Sequence, residues 1–423
     1  MKPEIEGGDG VLSKRLLARV LGVDAKTVRV EQAELVDDCV QIRLRPRIVH
    51  RWRCPHCENR CPHYDQGRTR RWRALDWWRT RVFVVAQVPR VQCAEHGVVV
   101  AAVPWVRHGA RHTIAFEQVA AWCAVEMSAT AASRLLRCTW RTVGSIVARV
   151  VAELDGDALL EGVRRIGIDE ISYRRHRRYL LVVVDHDQRR LIHCVDGANR
   201  RTLESFFDQL GKRTSLITHV SADGAPWITK VVTERCPTAT LCADIFHVVQ
   251  WATEALDVVR RDTWNEVSER RRRGHYGTGE GKVLKDARWS LWKNPDHLSE
   301  SEQARLDHIA ATHPRLHRAW ALKEGLRVAV TGVGPEAVAA LDRWTQWAQR
   351  SRIPSFVTLA RRIRNYRSAI VATITHRLTN ALVESFNTKI RLIARRAFGF
   401  HNVAALIALA RLTLSGQRPT LPT

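Results

Sequence analysis

The chain has 423 residues, with 68 Lys and Arg against 43 Asp and Glu, a net charge of +25, and a sequence pI near 10.6. Its length implies about two to four domains, its 45% hydrophobic content argues against a disordered chain, and no apolar run reaches the length of a membrane span. A field of this sign gathers polyanions, of which nucleic acid is the commonest. Only ten of the basic residues are Lys. The rest are Arg, whose planar fork matches phosphate oxygens in pairs and stacks on bases. A GC-rich genome would explain Arg over Lys but not the net charge. The first residues, MKPEIEGGDG, are acidic and lack the apolar core of a signal peptide. A cytoplasmic location is therefore expected, where thiols stay reduced. The ten cysteines are then metal ligands or core thiols before they are disulfides.

Residues 1–112 read as an N-terminal region. An amphipathic helix, Leu12–Leu21, precedes β-like runs around Thr27–Gln32 and Val40–Val49. In the second run Ile42 and Leu44 alternate with Arg43 and Arg45, the period of a half-buried strand. Cys54-Pro-His-Cys57 and Cys93-Ala-Glu-His96 follow, two pairs at the same spacing flanking a β-hairpin. Two such turns can close a tetrahedron around one structural zinc ion. Cys61, His56 and His63 remain spare candidate ligands. Residues 113–160 are helical, in three segments: Phe116–Met127, a second helix from Ser128, and Trp140–Leu154 capped by Thr139. Short helix, tight turn and longer helix is the helix-turn-helix pattern. The third helix would offer Arg141, Thr142, Ser145 and Arg149 to a DNA groove. The same pattern would also suit a plain helical connector.

Residues 161–262 read as an α/β unit. The expected strands are Arg165–Ile171, Tyr179–Asp185, Arg190–Val195, Ser215–Ser221 and Thr240–Cys242. Helices are expected over Thr202–Leu210, Trp227–Thr233 and Ile245–Arg260. A three-strand meander followed by alternating helix and strand is the order of an RNase H-like fold, whose ligands gather at strand ends. Residues 263–375 read as a helical insertion. They hold the basic cluster Arg270–Arg273, glycines at 274, 277, 279 and 281, and Trp264, Trp289, Trp292, Trp320, Trp344 and Trp347. Those Trp residues are core by default, although one could stack on an unpaired base. Residues 376–423 close the catalytic core with a helix carrying Asn380, Glu384, Asn387, Lys389 and Arg391.

Breaking or joining a phosphodiester needs an activated attacking oxygen and a stabilised leaving oxygen. Two Mg²⁺ ions about 3.5–4 Å apart supply both, and hard cations want carboxylate oxygens. Asp169 and Asp223, at or just past strand ends, and Glu384 on a helix are candidates for that cage. Glu170 would face the other side of its strand. Asp185, Asp196 and Asp244 compete for the same roles, and spacing alone does not choose among them.

GIDE at 167–170, SADGAPW at 221–227, ADIFHVVQWATEALDVVR at 243–260 and ALVESFNTKIRLIARRAFGF at 381–400 resemble the DDE transposases of bacterial insertion sequences, and among them the ISL3 family. With the zinc-finger motif and the helix-turn-helix, the resemblance covers nearly the whole chain. It implies Asp169, Asp223 and Glu384 as catalytic, Mg²⁺-binding acids. It implies Asp244 and His247, a D-x-x-H signature, as supporting residues. Asn387, Lys389 and Arg391 would touch DNA. Many relatives end the finger in Cys-x2-Cys, whereas this chain has Cys93-x2-His96, which leaves its fourth zinc ligand open. The implied partners are double-stranded inverted-repeat ends and target DNA, bound by a homo-oligomer of at least two chains within the nucleoid. A transposase-derived regulator that binds DNA without cutting it, and a stand-alone nuclease, are the alternatives.

Overall fold

A computed structural model describes residues 10–174, 178–273, 280–419 and Leu421. The expected glycines at 274, 277 and 279 lie outside the described residues. The chain divides into two units, residues 1–155 with 392–423, and residues 156–391.

The first unit opens with α1 (Gly10–Val20). Seven strands follow: β1 (Val28–Val36), β2 (Cys39–Pro46), β3 (His63–Asp65), β4 (Thr69–Arg73), β5 (Arg81–Gln87), β6 (Arg90–Cys93) and β7 (Gly97–Val100). They form two sheets, ordered β1-β2-β5-β4 and β3-β6-β7. The expected alternation in β2 is present, with Ile42 and Leu44 buried and Arg43 and Arg45 exposed. Three helices come next: α2 (Ile114–Glu126), α3 (Ala129–Leu135) and α4 (Trp140–Ala152). Each starts where a hydroxyl takes an orphan amide hydrogen. Thr113, Ser128 and Thr139 accept from the backbone N of Phe116, Ala131 and Thr142. The apolar faces of the three helices share one core around Phe116, Ala120, Val143 and Ile146.

The second unit begins with α5 (Gly156–Leu160). Next come β8 (Arg165–Arg174), β9 (Arg178–Asp185), β10 (Arg190–Asp196), α6 (Arg200–Leu210), β11 (His219–Ala222), α7 (Pro226–Arg235), β12 (Thr240–Ala243) and the 28-residue α8 (Ile245–Arg272). The sheet order is β10-β9-β8-β11-β12. β8, β9 and β10 are antiparallel neighbours, and β11 runs parallel to both β8 and β12. β9 is a near-continuous apolar run, with Leu180 to Val184 all fully buried, because the sheet is covered on both faces. The fourth strand differs from expectation. Residues 211–216 wind as a short 3-10 turn and pairing begins only at His219. α8 also runs twelve residues past its expected end at Arg260.

Helices continue the unit: α9 (Glu280–Asp286), α10 (Arg288–Trp292), α11 (Glu300–Thr312), α12 (Pro314–Thr331), α13 (Gly334–Arg350), α14 (Pro354–Asn365), α15 (Arg367–His376) and α16 (Ala381–Arg396). Of their tryptophans, Trp344 is core and its indole donates to Leu322 O at 2.7 Å, whereas Trp289 is 60% exposed. The last helix, α17 (Val403–Leu414), buries Leu412 in the core of α2–α4. The division between the two units falls after Arg391, within α16. A strongly apolar helix joins whichever exposed stripe it can cover, and here that stripe lies on α4.

Gly167 on β8 shows how tightly α16 meets the sheet. A Cβ there would lie 2.4 Å from Val383 Cγ2, 2.7 Å from His186 Nε2 and 3.1 Å from Ser221 Oγ. Gly167→Ala is expected to cost about 1–3 kcal/mol, read as a lower chemical-denaturation midpoint. An unchanged midpoint would show that α16 can back away at no cost.

Candidate active site and metal centre

The metal centre lies in the first unit. The chain turns at Cys54–Cys57 with Glu58 N donating to Cys54 O at 3.0 Å. It turns again between Cys93, the end of β6, and Gly97, the start of β7. The ligand atoms of Cys54, Cys57, Cys93 and His96 all lie within 4.8 Å of one another. Cys57 Sγ and Cys93 Sγ are 3.7 Å apart, Cys54 Sγ and His96 Nδ1 3.7 Å, and Cys93 Sγ and His96 Nδ1 3.5 Å. A tetrahedron built on Zn–S bonds of about 2.3 Å has edges of about 3.7 Å, so this donor set fits zinc. His96 beside Cys93 holds that thiol down to about 6, toward the thiolate a metal requires. The spare candidates fall outside the set. Cys61 donates to Asn59 O at 3.4 Å, His56 stacks on His96 at 4.9 Å between centroids, and His63 packs edge-on to Trp52.

On α4, Arg141 and Ser145 are exposed and Thr142 is partly so. Arg149 is placed otherwise than expected. Its Nε donates to Glu117 Oε1 at 3.0 Å, and Glu117, fully buried, also takes Arg107. A buried carboxylate needs such partners, so Arg149 serves the core and leaves Arg141, Thr142 and Ser145 as the exposed stripe. Nothing in the sequence signals this pairing.

In the second unit, sheet register aligns three acids. Ile168 pairs with Ala222, and Ala222 with Ala243. Asp169, Asp223 and Asp244 are each the next residue, so they form a row that runs from the middle of β8 to the positions just past the ends of β11 and β12. Asp169 Oδ1 accepts from Glu170 N at 2.7 Å, and its Oδ2 accepts from Asn387 Nδ2 at 2.8 Å. Burial, and then the charge of Asp223, push Asp169 up to about 6. Asp223 Oδ1 accepts from Ala225 N at 3.0 Å. Asp244 is buried and pairs with His247 Nδ1 at 2.7 Å, which raises the imidazole pKa. Glu170 accepts from Trp227 Nε1 at 3.1 Å, apart from this row of bonds. The competitors separate too. Asp185 is fully buried beside Arg190, and Asp196 holds the Tyr173 hydroxyl.

Glu384 is exposed one turn before Asn387 on α16. With Asp244, Phe246, Arg261, Arg288 and Trp292 it lines a groove of about 930 Å³. Among the described residues, the Cys/His set alone brings three or more ligand atoms within 4.8 Å of one another. Asn387, expected to reach DNA, is 3% exposed and bonded to Asp169 instead. Lys389 and Arg391 are exposed.

A polar chain beneath the acids was not legible in the sequence. Ser221 Oγ donates to Asn380 Oδ1 at 2.6 Å, and Asn380 Nδ2 donates to Ile168 O at 3.3 Å. With its one hydrogen used, Ser221 accepts from His186 Nε2 at 2.8 Å. Burial holds His186 down to about 4, a neutral ring. Because the unfolded chain takes up the proton first, this ring contributes stability at neutral pH that is lost as pH falls from about 6.5 to 4. His186→Gln is expected to lose roughly 2 kcal/mol less than the parent over that window. Parallel stability curves would contradict the assignment. For the metal centre, Cys54→Ser is expected to lose its one equivalent of zinc and several kcal/mol of stability. Cys61→Ser is expected to retain the metal, and elemental analysis separates the two.

Comparison with known proteins identifies the family. Residues 166–410 match the DDE family of the ISL3 type described as "Transposase". Residues 101–151 match the helix-turn-helix domain of transposase family ISL3, and residues 50–96 the zinc finger of the transposases of IS204, IS1001, IS1096 and IS1165. The transposase for insertion sequence element IS1557 of Mycobacterium tuberculosis is 52% identical over 431 residues, covering 96% of this chain and 97% of that protein. The transposase for IS1001 of Bordetella parapertussis is 27% identical over 413 residues, covering 96% and 100%. A solved Drosophila P element transposase strand transfer complex aligns over 73% of this chain and 93% of its own at 10% identity, with a TM-score of 0.35. A family match over more than half of the chain, joined to a 52% identical full-length relative, establishes that this chain belongs to the ISL3 family of insertion-sequence transposases.

Proposed function

We propose that this chain binds the inverted-repeat ends of an insertion sequence and carries out metal-dependent strand cleavage and strand transfer with Asp169, Asp223 and Glu384. The observation that carries the reading is the bond from Asn387 to Asp169. It ties the helix bearing Glu384 to the strand bearing Asp169, whose carboxyl is pushed up to about 6. The sheet order, with its antiparallel meander and two parallel strands, supports an RNase H-like core. The helices from α9 to α15 support a helical insertion between its parts.

The carboxylates fit a hard divalent cation. Asp169 and Asp223 repel each other, and a divalent cation between them would relieve that repulsion. Mg²⁺ held by Asp169, Asp223 and Glu384 would activate the attacking oxygen and stabilise the leaving one. The residues of the chain itself have separable parts in this scheme. Asn387 orients Asp169 through its bond to Oδ2. Asp244 holds His247 at 2.7 Å, which raises the imidazole pKa. Arg261 and Arg288 in the groove shared with Glu384 supply phosphate contacts. Arg141, Thr142 and Ser145 read the end sequence, and Lys389 and Arg391 bind its backbone. The working form is a homo-oligomer of at least two chains on paired ends, acting in the cytoplasm at the nucleoid. No described helix is long and apolar enough to cross a membrane.

The test incubates the full chain with an inverted-repeat duplex and Mg²⁺, beside Asp169→Asn. The variant is expected to bind the duplex as the parent does and to cleave it at least about a hundredfold more slowly. Binding with no cleavage by either protein would favour the regulator. Cleavage without joining or end preference would favour the nuclease.

A further inference from the structure

We infer that the tip of the β4–β5 hairpin is a second DNA-contacting element, and that Trp78 is its contact side chain. The inference rests on the reading of α4 as a DNA-binding helix. Trp77 and Thr80 close the tip with paired backbone bonds of 3.0 and 2.9 Å, which leaves Trp78 and Arg79 as a two-residue turn. Trp78 has φ +55°, at the first central position of that turn, where glycine is the usual residue. Its side chain is also 92% exposed. The large apolar indole therefore gains no packing, and the backbone is strained to present it. Strain at an exposed position that packing does not explain points to a binding role.

The surroundings indicate what is bound. Arg79 and Arg81 beside it are exposed. The nearest acid, Asp76, is already neutralised by Arg73 at 2.6 Å and Arg137 at 3.2 Å. Arg137 lies in the turn between α3 and α4, and its Nη1 also donates to Arg79 O at 2.7 Å. The turn that leads into α4 thus holds the hairpin tip directly. A duplex lying along Arg141 and Ser145 would meet the tip as a wing, with arginines for its phosphates and an indole for its apolar base and sugar surface. Aromatic wedges of this kind act through stacking and not through charge.

Two variants separate this role from a structural one. Trp78→Ala is expected to weaken binding of the full chain to the inverted-repeat duplex by about tenfold or more. The slope of affinity against salt should stay unchanged, because no phosphate contact is lost. Arg79→Ala should reduce that slope by about one. Trp78→Gly removes the strain along with the indole, so it should melt no lower than the parent while binding DNA as poorly as Trp78→Ala. Trp78→Phe should restore most of the affinity. Unchanged duplex affinity in both Trp78→Ala and Trp78→Gly overturns the proposal. So does a loss seen only with single-stranded oligonucleotide. A shift in sedimentation of the free chain with duplex affinity intact also overturns it and marks the tip as a protein contact. Arg141→Ala, measured alongside, reports on the helix-turn-helix reading by itself. If that variant weakens binding and the Trp78 variants do not, the hairpin proposal alone fails.

Discussion

The close approach of α16 to β8 is the constraint on which the catalytic unit depends. Gly167 permits it, since any side chain there would strike Val383 and Ser221. Two amides then bridge the seam. Asn380 engages Ser221 and the Ile168 carbonyl, and Asn387 engages Asp169 across 218 residues of sequence. Each of these bonds constrains the rotation of α16 about its axis. Glu384 is positioned by the same rotation, and the groove it shares with Asp244 follows from it.

The electrostatics are set against the background of the chain. Three aspartates fall in register across β8, β11 and β12 in a protein of net charge +25. Burial and mutual repulsion raise Asp169, and Asp244 in the row pairs with His247.

Much of the site was legible in the chain. The Cys54–Cys57 and Cys93–His96 pairs announced a metal centre because ligand spacing in tight turns is a local property. The caps at Ser128 and Thr139 were equally local. Arg149 and Asn387 were misjudged for one reason: both sit at helical spacing on a face that looked exposed. Whether such a face meets solvent, a buried Glu117 or an Asp169 is settled by what packs opposite. The fate of α17 is a similar case, since an apolar helix carries no mark of which core it joins.

The order of elements, the zinc ligands apart from the final choice of His96, the helix boundaries near their caps, and the polyanion-seeking charge all follow from the amino-acid sequence, because each depends on neighbours along the chain. The register that aligns Asp169 with Asp223 and Asp244, the Gly167 seam, the neutral His186 chain and the docking of Arg137 on the hairpin tip were decided only by the tertiary structure. Each joins residues dozens to hundreds of positions apart, and no local preference encodes such a meeting. It arises when sheet pairing and close packing select one arrangement from the many that the same local elements permit.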